Sequence, residues 1–458
     1  MFLDFLTEEF KNNSQKTAIV WNDQPYSYQT LLELFEKRKA EISQISDIKG
    51  KVVALKSDFS LESTSMFLAL AENECIIVPV NSKTKEDVKR IYDISMVELL
   101  IEIDINNITF TETGKSSDHE YYNVLRERKH PGIVLFSSGT SGEPKAAVND
   151  FTALLEKFKT RRYALTTLNF LLFDHIGGVN TMLHTLSNGG KLVFTKERTP
   201  EFICRQIEKH KVELLPVSPT FLNLLLISEA YKDFDLSSLK KITYGTEPMP
   251  EGTLKRLNII FPDIKFQQTY GLMEVGILRT ASQSNNSLWV KLGGEGYELR
   301  IVDDILHIKT PSGILGYLNY PTPYSDDGWF ITGDHVETQG EFFRILGRRS
   351  ELINIGGEKV YPVEIETVLK EIDNVGEAII YSEPNSITGN IICAEVTMIR
   401  DEDKGEFRSK IKKYCRENLQ SFKVPAKIII ADKIEYTDRF KKKQIKRILP
   451  NSNSTDAK

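Results

Sequence analysis

The sequence predicts an α/β protein: a large N-terminal α/β domain with layered sheets, joined by a hinge to a small C-terminal α+β domain. Three observations predict it. Short apolar runs of strand length alternate with helical patterns as far as residue 280, as expected of a largely parallel sheet covered by helices. Residues 285 to 345 then become strand-like and rich in turns. Last, the charged, glycine-containing segment Leu346-Gly347-Arg348-Arg349-Ser350-Glu351 reads as a linker, and both helical and strand signals follow it.

Taken in order, Ser27 caps an amphipathic helical pattern from Tyr28 to Phe35. Val52 to Leu55 and Cys75 to Val80 are apolar runs that fit buried strands. Thr111 to Glu120 is polar and reads as a loop. Ile133 to Phe136 is a further buried strand. The apolar runs Leu168–Phe173, Leu192–Phe194, Leu214–Val217 and Lys241–Tyr244 mostly end in polar or Gly/Pro loops. Ligands of open α/β sheets sit at such strand ends, so several of these loops are candidates to line one cleft. Turns such as Gly293-Gly294-Glu295-Gly296 and Asp326-Asp327-Gly328-Trp329 punctuate the next stretch. Beyond the linker come helical patterns at Val363–Lys370 and Glu406–Glu417, and strands at Ala378–Tyr381 and Ile391–Val396. The boundaries expected are 1–346 for the core, 347–352 for the hinge and 353–450 for the small domain. A polar tail, 451–458, is expected to be disordered.

Composition excludes several classes. The 458 residues are 40% hydrophobic and 27% charged, as in ordinary globular proteins, and long enough for two or more domains. A net charge of -5 gives no basic field for nucleic acid. Cys75, Cys204, Cys393 and Cys415 have neither metal-ligand spacing nor disulfide-framework density, which fits thiols in a reducing compartment. Asp4 and two glutamates interrupt the short apolar start, so no signal peptide is expected. No apolar run approaches the roughly 20 residues of a membrane span. A cytoplasmic protein is expected.

The most informative stretch is Ser137 to Lys145, SSGTSGEPK. It follows the strand ending at Phe136. Asn149 and Asp150 are candidate caps for a helix through Leu154, Leu155 and Phe158, so the nine residues read as a strand-to-helix loop. Gly139 and Gly142 let backbone N–H groups turn toward an anion. Ser137, Ser138, Thr140 and Ser141 add hydroxyls, and Lys145 adds an ammonium. Such a loop suits a polyphosphate. It is not a Walker loop, because the GK[ST] ending is missing and Pro144 precedes the lysine.

This loop resembles the phosphate loop of the adenylate-forming superfamily: acyl-CoA synthetases, peptide-synthetase adenylation domains and luciferases. Four later segments resemble that family's motifs, in family order. Gln268-Thr269-Tyr270-Gly271-Leu272-Met273-Glu274 resembles its Y-G-x-x-E segment. Tyr270 would offer adenine a flat face, Thr269 a hydroxyl to the α-phosphate, and Glu274 a hard oxygen to Mg²⁺, with Thr140 beside it. The strand-end loop Gly245-Thr246-Glu247, like Gly271, is assigned to the nucleotide, with Gly245 also facing the substrate. Thr332-Gly333-Asp334 resembles the T-G-D segment, in which Asp334 would accept from the ribose hydroxyls. Gly347 to Glu366 resembles the hinge and the start of the C-terminal domain. Arg348 would reach the ribose, Ser350 departs from the usual hinge residue, and Gly356-Gly357 would let a pantetheine arm approach. The stretch from Thr437 to Arg447 resembles the loop of the catalytic lysine. Counting from Thr437 gives Lys441, with Phe440 in place of a glycine; counting back from Ile445 favours Lys443.

The resemblance implies ATP- and Mg²⁺-dependent activation of a carboxylic acid, with Lys441, Thr140, Glu274 and Lys145 as catalytic residues. The acyl-adenylate would then pass to the thiol of CoA or of the phosphopantetheine of an acyl carrier protein, and the C-terminal domain would rotate between the two steps. Around Phe173-Asp174-His175-Ile176-Gly177-Gly178 the substrate class reads two ways. His175, Gly177 and Gly178 resemble acyl-CoA synthetases. Phe173-Asp174 resembles amino-acid adenylation domains, where the aspartate holds an ammonium. No fused carrier domain follows the lysine loop, so a stand-alone enzyme is expected. A protein that binds nucleotide or acyl ligand without turnover, and an enzyme with an amine or hydroxyl acceptor, are the alternatives.

Overall fold

The computed structural model describes residues 2–81, 84–104, 107–137, 143–385, 389–434 and 436. The chain divides into two compact units, one of residues 1–249 and 254–346, the other of 250–253 and 347–458.

Among the described residues, three large sheets and a two-stranded ribbon, Gly271–Leu272 with Gly276–Ile277, build the first unit. One has seven strands, in the spatial order Lys265–Gln268, Lys241–Tyr244, Leu214–Val217, Thr166–Asn169, Lys191–Phe194, Thr17–Trp21 and Gln24–Ser27. All are parallel except the last. A second sheet, also of seven strands, runs Gly316–Tyr317, Ala146–Asp150, Gly132–Phe136, Ile76–Val80, Val52–Lys56, Leu99–Asp104 and Asn107–Glu112. Its four middle strands from Gly132–Phe136 to Leu99–Asp104 are parallel. The third is antiparallel and six-stranded, drawn from residues 279–348. The predicted fold class is the observed one.

Helix caps follow sequence rules. Ser27 accepts from the Thr30 backbone N–H at the start of Tyr28–Ser43. Ser60 and Ser63 cap Leu61–Glu72 reciprocally. That helix is buried almost throughout and, through Phe67 among others, fills the space between the sheets together with Phe151 and Phe173. The four cysteines are buried thiols, and burial pushes Cys204 up to about 12 and Cys415 up to about 11. No helix among the described residues is long and apolar enough to cross a membrane.

Two local expectations are corrected. The loop after Phe136 does not lead into a helix. It returns as the strand Ala146–Asp150, antiparallel to Gly132–Phe136. Asn149 is buried in that strand, and only Asp150 caps, accepting from Thr152 N–H ahead of the short helix Phe151–Leu155. Small side chains at Ala146 and Ala147 let the strand lie fully buried between two neighbours, without the alternation that marks a half-buried strand. Likewise Thr111 and Glu112 end the edge strand Asn107–Glu112, because they pair with Leu100 and Leu99.

The second unit has a three-stranded sheet, Val375–Asn385, Gly389–Met398 and Lys427–Ala431, with the helices Pro362–Leu369 and Lys404–Asn418. Its core gathers Ile365, Leu369, Ile380, Phe407 and Ile411. Gly356 and Gly357 form the two-residue turn of the hairpin Ile353–Ile355/Glu358–Val360, both with positive φ, as a type I′ turn requires.

Candidate active site

The mouth of the Ser137–Lys145 loop is closed by its own ends. Ser137 N–H donates to the Lys145 carbonyl at 3.0 Å, and Lys145 N–H to Ser137 Oγ at 3.3 Å. Asn319 fastens the returning strand: its Oδ1 accepts from Ala146 N–H, and its Nδ2 donates to the Pro144 carbonyl at 2.9 Å. Ser138, Gly139, Thr140, Ser141 and Gly142 lie outside the described residues.

From this mouth a chain of polar contacts leads to Glu274. The Lys145 ammonium lies 5.5 Å from the centre of the Tyr317 ring and 5.2 Å from that of Tyr320. Such contacts hold a cation without neutralising it. Tyr317 donates its hydroxyl to Glu274 Oε1 at 2.6 Å. The pairing of Tyr317 with Ala147 sets this register, since it brings the Gly316–Tyr317 strand beside the one that leaves the loop. Glu274 is buried, and its carbonyl accepts from Ile314 N–H at 2.8 Å.

Tyr270 and Asp334 form a second pair. The phenol donates to Asp334 Oδ2 at 2.6 Å, and both residues are buried. Asp334 N–H donates to Thr332 Oγ1 at 3.0 Å, and that hydroxyl donates to the Leu306 carbonyl. Packed among Ala147, Val275 and Leu278, the Tyr270 ring leaves little of its face open to a base.

At the strand end beside these pairs, Thr269 donates both N–H and Oγ1–H to the Tyr244 carbonyl. Its hydroxyl proton is thereby engaged, leaving lone pairs to face outward. A Cβ on Gly245 would sit 2.4 Å from Thr269 Oγ1, so only glycine fits. Thr246 has a φ of 74°, unusual for a branched residue. Glu247 Oε1 accepts from Thr220 N–H at 2.7 Å, capping the helix Pro219–Ser228.

His175 caps the helix Ile176–Leu186, its Nδ1 accepting from Gly177 N–H at 3.0 Å. Both glycines have packing reasons. A Cβ on Gly178 would meet the Leu172 carbonyl at 2.1 Å, and one on Gly177 would meet Leu171 Cδ1 at 2.5 Å. Phe173 is buried edge-on against Phe59 and Phe67, while Asp174 is half-buried. In the second unit, Arg348 ends the strand Phe342–Arg348 and is exposed. Lys441 and Lys443 lie outside the described residues.

The structure thus joins Lys145 to Glu274 and Tyr270 to Asp334. The sequence reading missed Tyr317, Asn319 and Tyr320. They carry no motif, and only the pairing of Gly316–Tyr317 with Val148 and Ala147 brings them to the loop.

A glycine- and hydroxyl-rich loop at the end of a parallel strand, with an ammonium and a shielded carboxylate beside it, defines a nucleotide-using ligase of the adenylate-forming class. Comparison with known proteins carries this to a family. The model of the AMP-binding enzymes matches residues 6–318, and that of the AMP-binding enzyme C-terminal domain matches residues 364–441. The chain belongs to the AMP-binding enzyme family. Among its relatives is a 2-succinylbenzoate–CoA ligase of Listeria monocytogenes, 23% identical over 95% of this chain and 96% of that protein. The corresponding ligase of a Geobacillus species is 25% identical, over 93% and 94%. In fold, the chain is similar to the anthranilate–CoA ligase AuaEII in complex with anthranoyl-AMP, with a TM-score of 0.80 at 17% identity, covering 96% and 95% of the two chains. It is also similar to the amide bond synthetase McbA of Marinactinospora thermotolerans, with a TM-score of 0.74 at 19% identity, covering 95% and 96%.

Proposed function

We propose that this AMP-forming acid–thiol ligase uses ATP and Mg²⁺ to convert a carboxylic acid to an acyl-adenylate, and then transfers the acyl group to a pantetheine thiol, that of CoA in the first instance. In the first step a carboxylate oxygen attacks the α-phosphorus of ATP and pyrophosphate leaves. In the second a thiolate attacks the acyl carbon, AMP leaves, and the thiol proton passes to solvent. The observation that carries this reading is the chain Lys145–Tyr317–Glu274 at the mouth of the Ser137–Lys145 loop.

Lys145 offers a positive charge beside the loop, and the hydroxyls and N–H groups of 137–142 complete the phosphate donors by resemblance. Glu274 fits Mg²⁺. It is a single hard carboxylate oriented by a phenol, and no group of three metal-binding side chains occurs among the described residues. Mg²⁺ takes one or two carboxylates and fills its shell with phosphate oxygens and water. When bound there, with the Thr140 hydroxyl, the ion would offset charge on the triphosphate. Asp334, oriented by Tyr270 and Thr332, accepts from the ribose hydroxyls. Relatives named as CoA ligases support CoA over a carrier protein as acceptor.

Pyrophosphate release, measured with ATP and Mg²⁺ over a panel of aryl, fatty and amino acids without thiol, tests the first step. A burst with one acid class is expected, and thioester formation on adding CoA tests the second. ATP binding with no pyrophosphate from any acid would overturn the reading.

A further inference from the structure

Between the helix Lys85–Ile94 and the second seven-stranded sheet lies a cleft of about 340 Å³, a size that suits a small molecule. One wall is a single face of the helix, because Lys85, Val88, Lys89 and Tyr92 recur at the spacing i, i+3, i+4, i+7. The acidic residues of the first turn, Glu86 and Asp87, do not line it. From Lys85 to Asp93 this wall is about 12 Å long, at 1.5 Å per helical residue. Buried Val97 lines the cleft as well, and Lys56 reaches it from the end of the strand Val52–Lys56. None of these residues belongs to the segments that carry Lys145, Glu274, Tyr270 or Asp334. The strand Gly132–Phe136, which leads into the phosphate loop, is two strands from Val52–Lys56 and four from the edge strand Asn107–Glu112. About 10–20 Å of sheet therefore separates cleft from loop.

The lining is basic, and half of its cations are uncommitted. Lys56 is paired with Glu102, and Lys115 with Asp93 at 2.6 Å. Lys85 and Lys89 have neither an ion pair nor a hydrogen bond among the described residues. Asp93, one turn beyond Lys89, is the only carboxylate of the lining, and Lys115 holds it. Like charges one helical turn apart repel, and an anion between Lys85 and Lys89 would remove that repulsion.

The neutral groups decide what else the ligand must be. Thr113 spends its hydroxyl proton on the Val97 carbonyl, at 2.6 Å. Tyr92 Oη is shielded from solvent and has no hydrogen-bond partner among the described residues. A buried hydroxyl left without a partner is costly, and an anionic oxygen lodged beside Lys89, one turn away, would accept from it. Val88, the Tyr92 ring and Val97 otherwise offer apolar surface, with few fixed donors or acceptors for a sugar or a base. We propose that this cleft is a second binding site, apart from the phosphate loop, for an amphipathic anion of the fatty-acid type. Its carboxylate lies between Lys85 and Lys89, and its chain lies over Val88, Tyr92 and Val97. The proposal stands without the ligase reading, since no residue of the cleft takes part in it.

The test is calorimetry with octanoate and with uncharged octan-1-ol, on the full chain and on the double variant Lys85→Gln/Lys89→Gln, with saturating AMP present throughout. Glutamine keeps the helix propensity of lysine and removes only the charge. Octanoate should bind the full chain at least about fivefold more tightly than octan-1-ol, and at least about fivefold more tightly than it binds the double variant, as expected when charge-assisted contacts are lost. Tyr92→Phe should weaken octanoate and leave octan-1-ol unchanged. A ratio of octanoate to octan-1-ol affinity below fivefold on the full chain overturns the proposal, whether or not the variants fold. A folded double variant that loses less than fivefold also overturns it, because octanoate would then be held elsewhere, in the catalytic site for example. Octanoate that fails to bind at millimolar concentration overturns it too; if phosphatidylglycerol vesicles then bind the full chain and not the double variant, the lysines face a membrane surface instead.

Discussion

Tyr317 gives the sharpest test at the scale of single residues, because its hydroxyl serves Glu274. Partners that orient a metal ligand typically contribute 10- to 100-fold to activity. Tyr317→Phe should therefore lower pyrophosphate release by roughly that factor and raise the Mg²⁺ concentration at half-maximal rate. Glu274→Gln should lower the rate at least as far. If either variant kept the wild-type Mg²⁺ dependence, Glu274 would not serve the metal. Gly245 makes a different claim, one of space. With 2.4 Å between a new Cβ and Thr269 Oγ1, Gly245→Ala must displace Thr269 or its own strand end. A cost of about 1–3 kcal/mol in urea denaturation is expected, as for other overpacked sites. Activity should fall beyond what that loss explains, because Thr269 stands at the strand end of the proposed site.

At the scale of elements, the helix Ile176–Leu186 makes stability depend on pH through His184. Burial first, then the charges of Lys157, Arg162 and Lys241, lower the His184 pKa to about 4. The folded chain therefore holds the imidazole neutral, whereas the unfolded chain protonates near 6.5. Stability from this residue is complete above about pH 6.5 and is lost as pH falls toward 4, by up to ~3 kcal/mol. His184→Gln should flatten the fall in denaturation midpoint between pH 7 and 4.5. An unchanged slope would show that the folded chain does not hold the imidazole neutral. Elements also show what the sequence could say. Caps at Ser27 and strands such as Val52–Lys56 were legible because their signals are local. The return of the loop as Ala146–Asp150 was not, because an alanine-rich buried strand has no period of its own. Glu247, read as a nucleotide contact, also supports a helix start, which no motif signals. Gly177 and Gly178 likewise have packing reasons that a motif cannot reveal. Tyr317 became visible only through pairing between segments more than a hundred residues apart.

For the whole molecule, the question is how one chain performs two reactions. The site described at the loop lies wholly within the first unit, whereas the second carries Arg348 and Lys441. If Lys441 acts during adenylation alone, the half-reactions must respond differently to its loss. Removing a charge that offsets the leaving pyrophosphate should cost about 10²-fold or more, as for other groups that stabilise developing charge. Lys441→Ala should therefore reduce pyrophosphate release by that order. The same variant, given a preformed acyl-adenylate and CoA, should release AMP and thioester at nearly the wild-type rate. Equal damage to both steps would mean that the residue supports the fold of the second unit rather than the chemistry. If Lys443→Ala produced the selective loss instead, the register counted back from Ile445 would be the correct one. Selective loss at either position would show that the second unit contributes its cation to one reaction and withholds it from the other, as expected if that unit moves between the two steps.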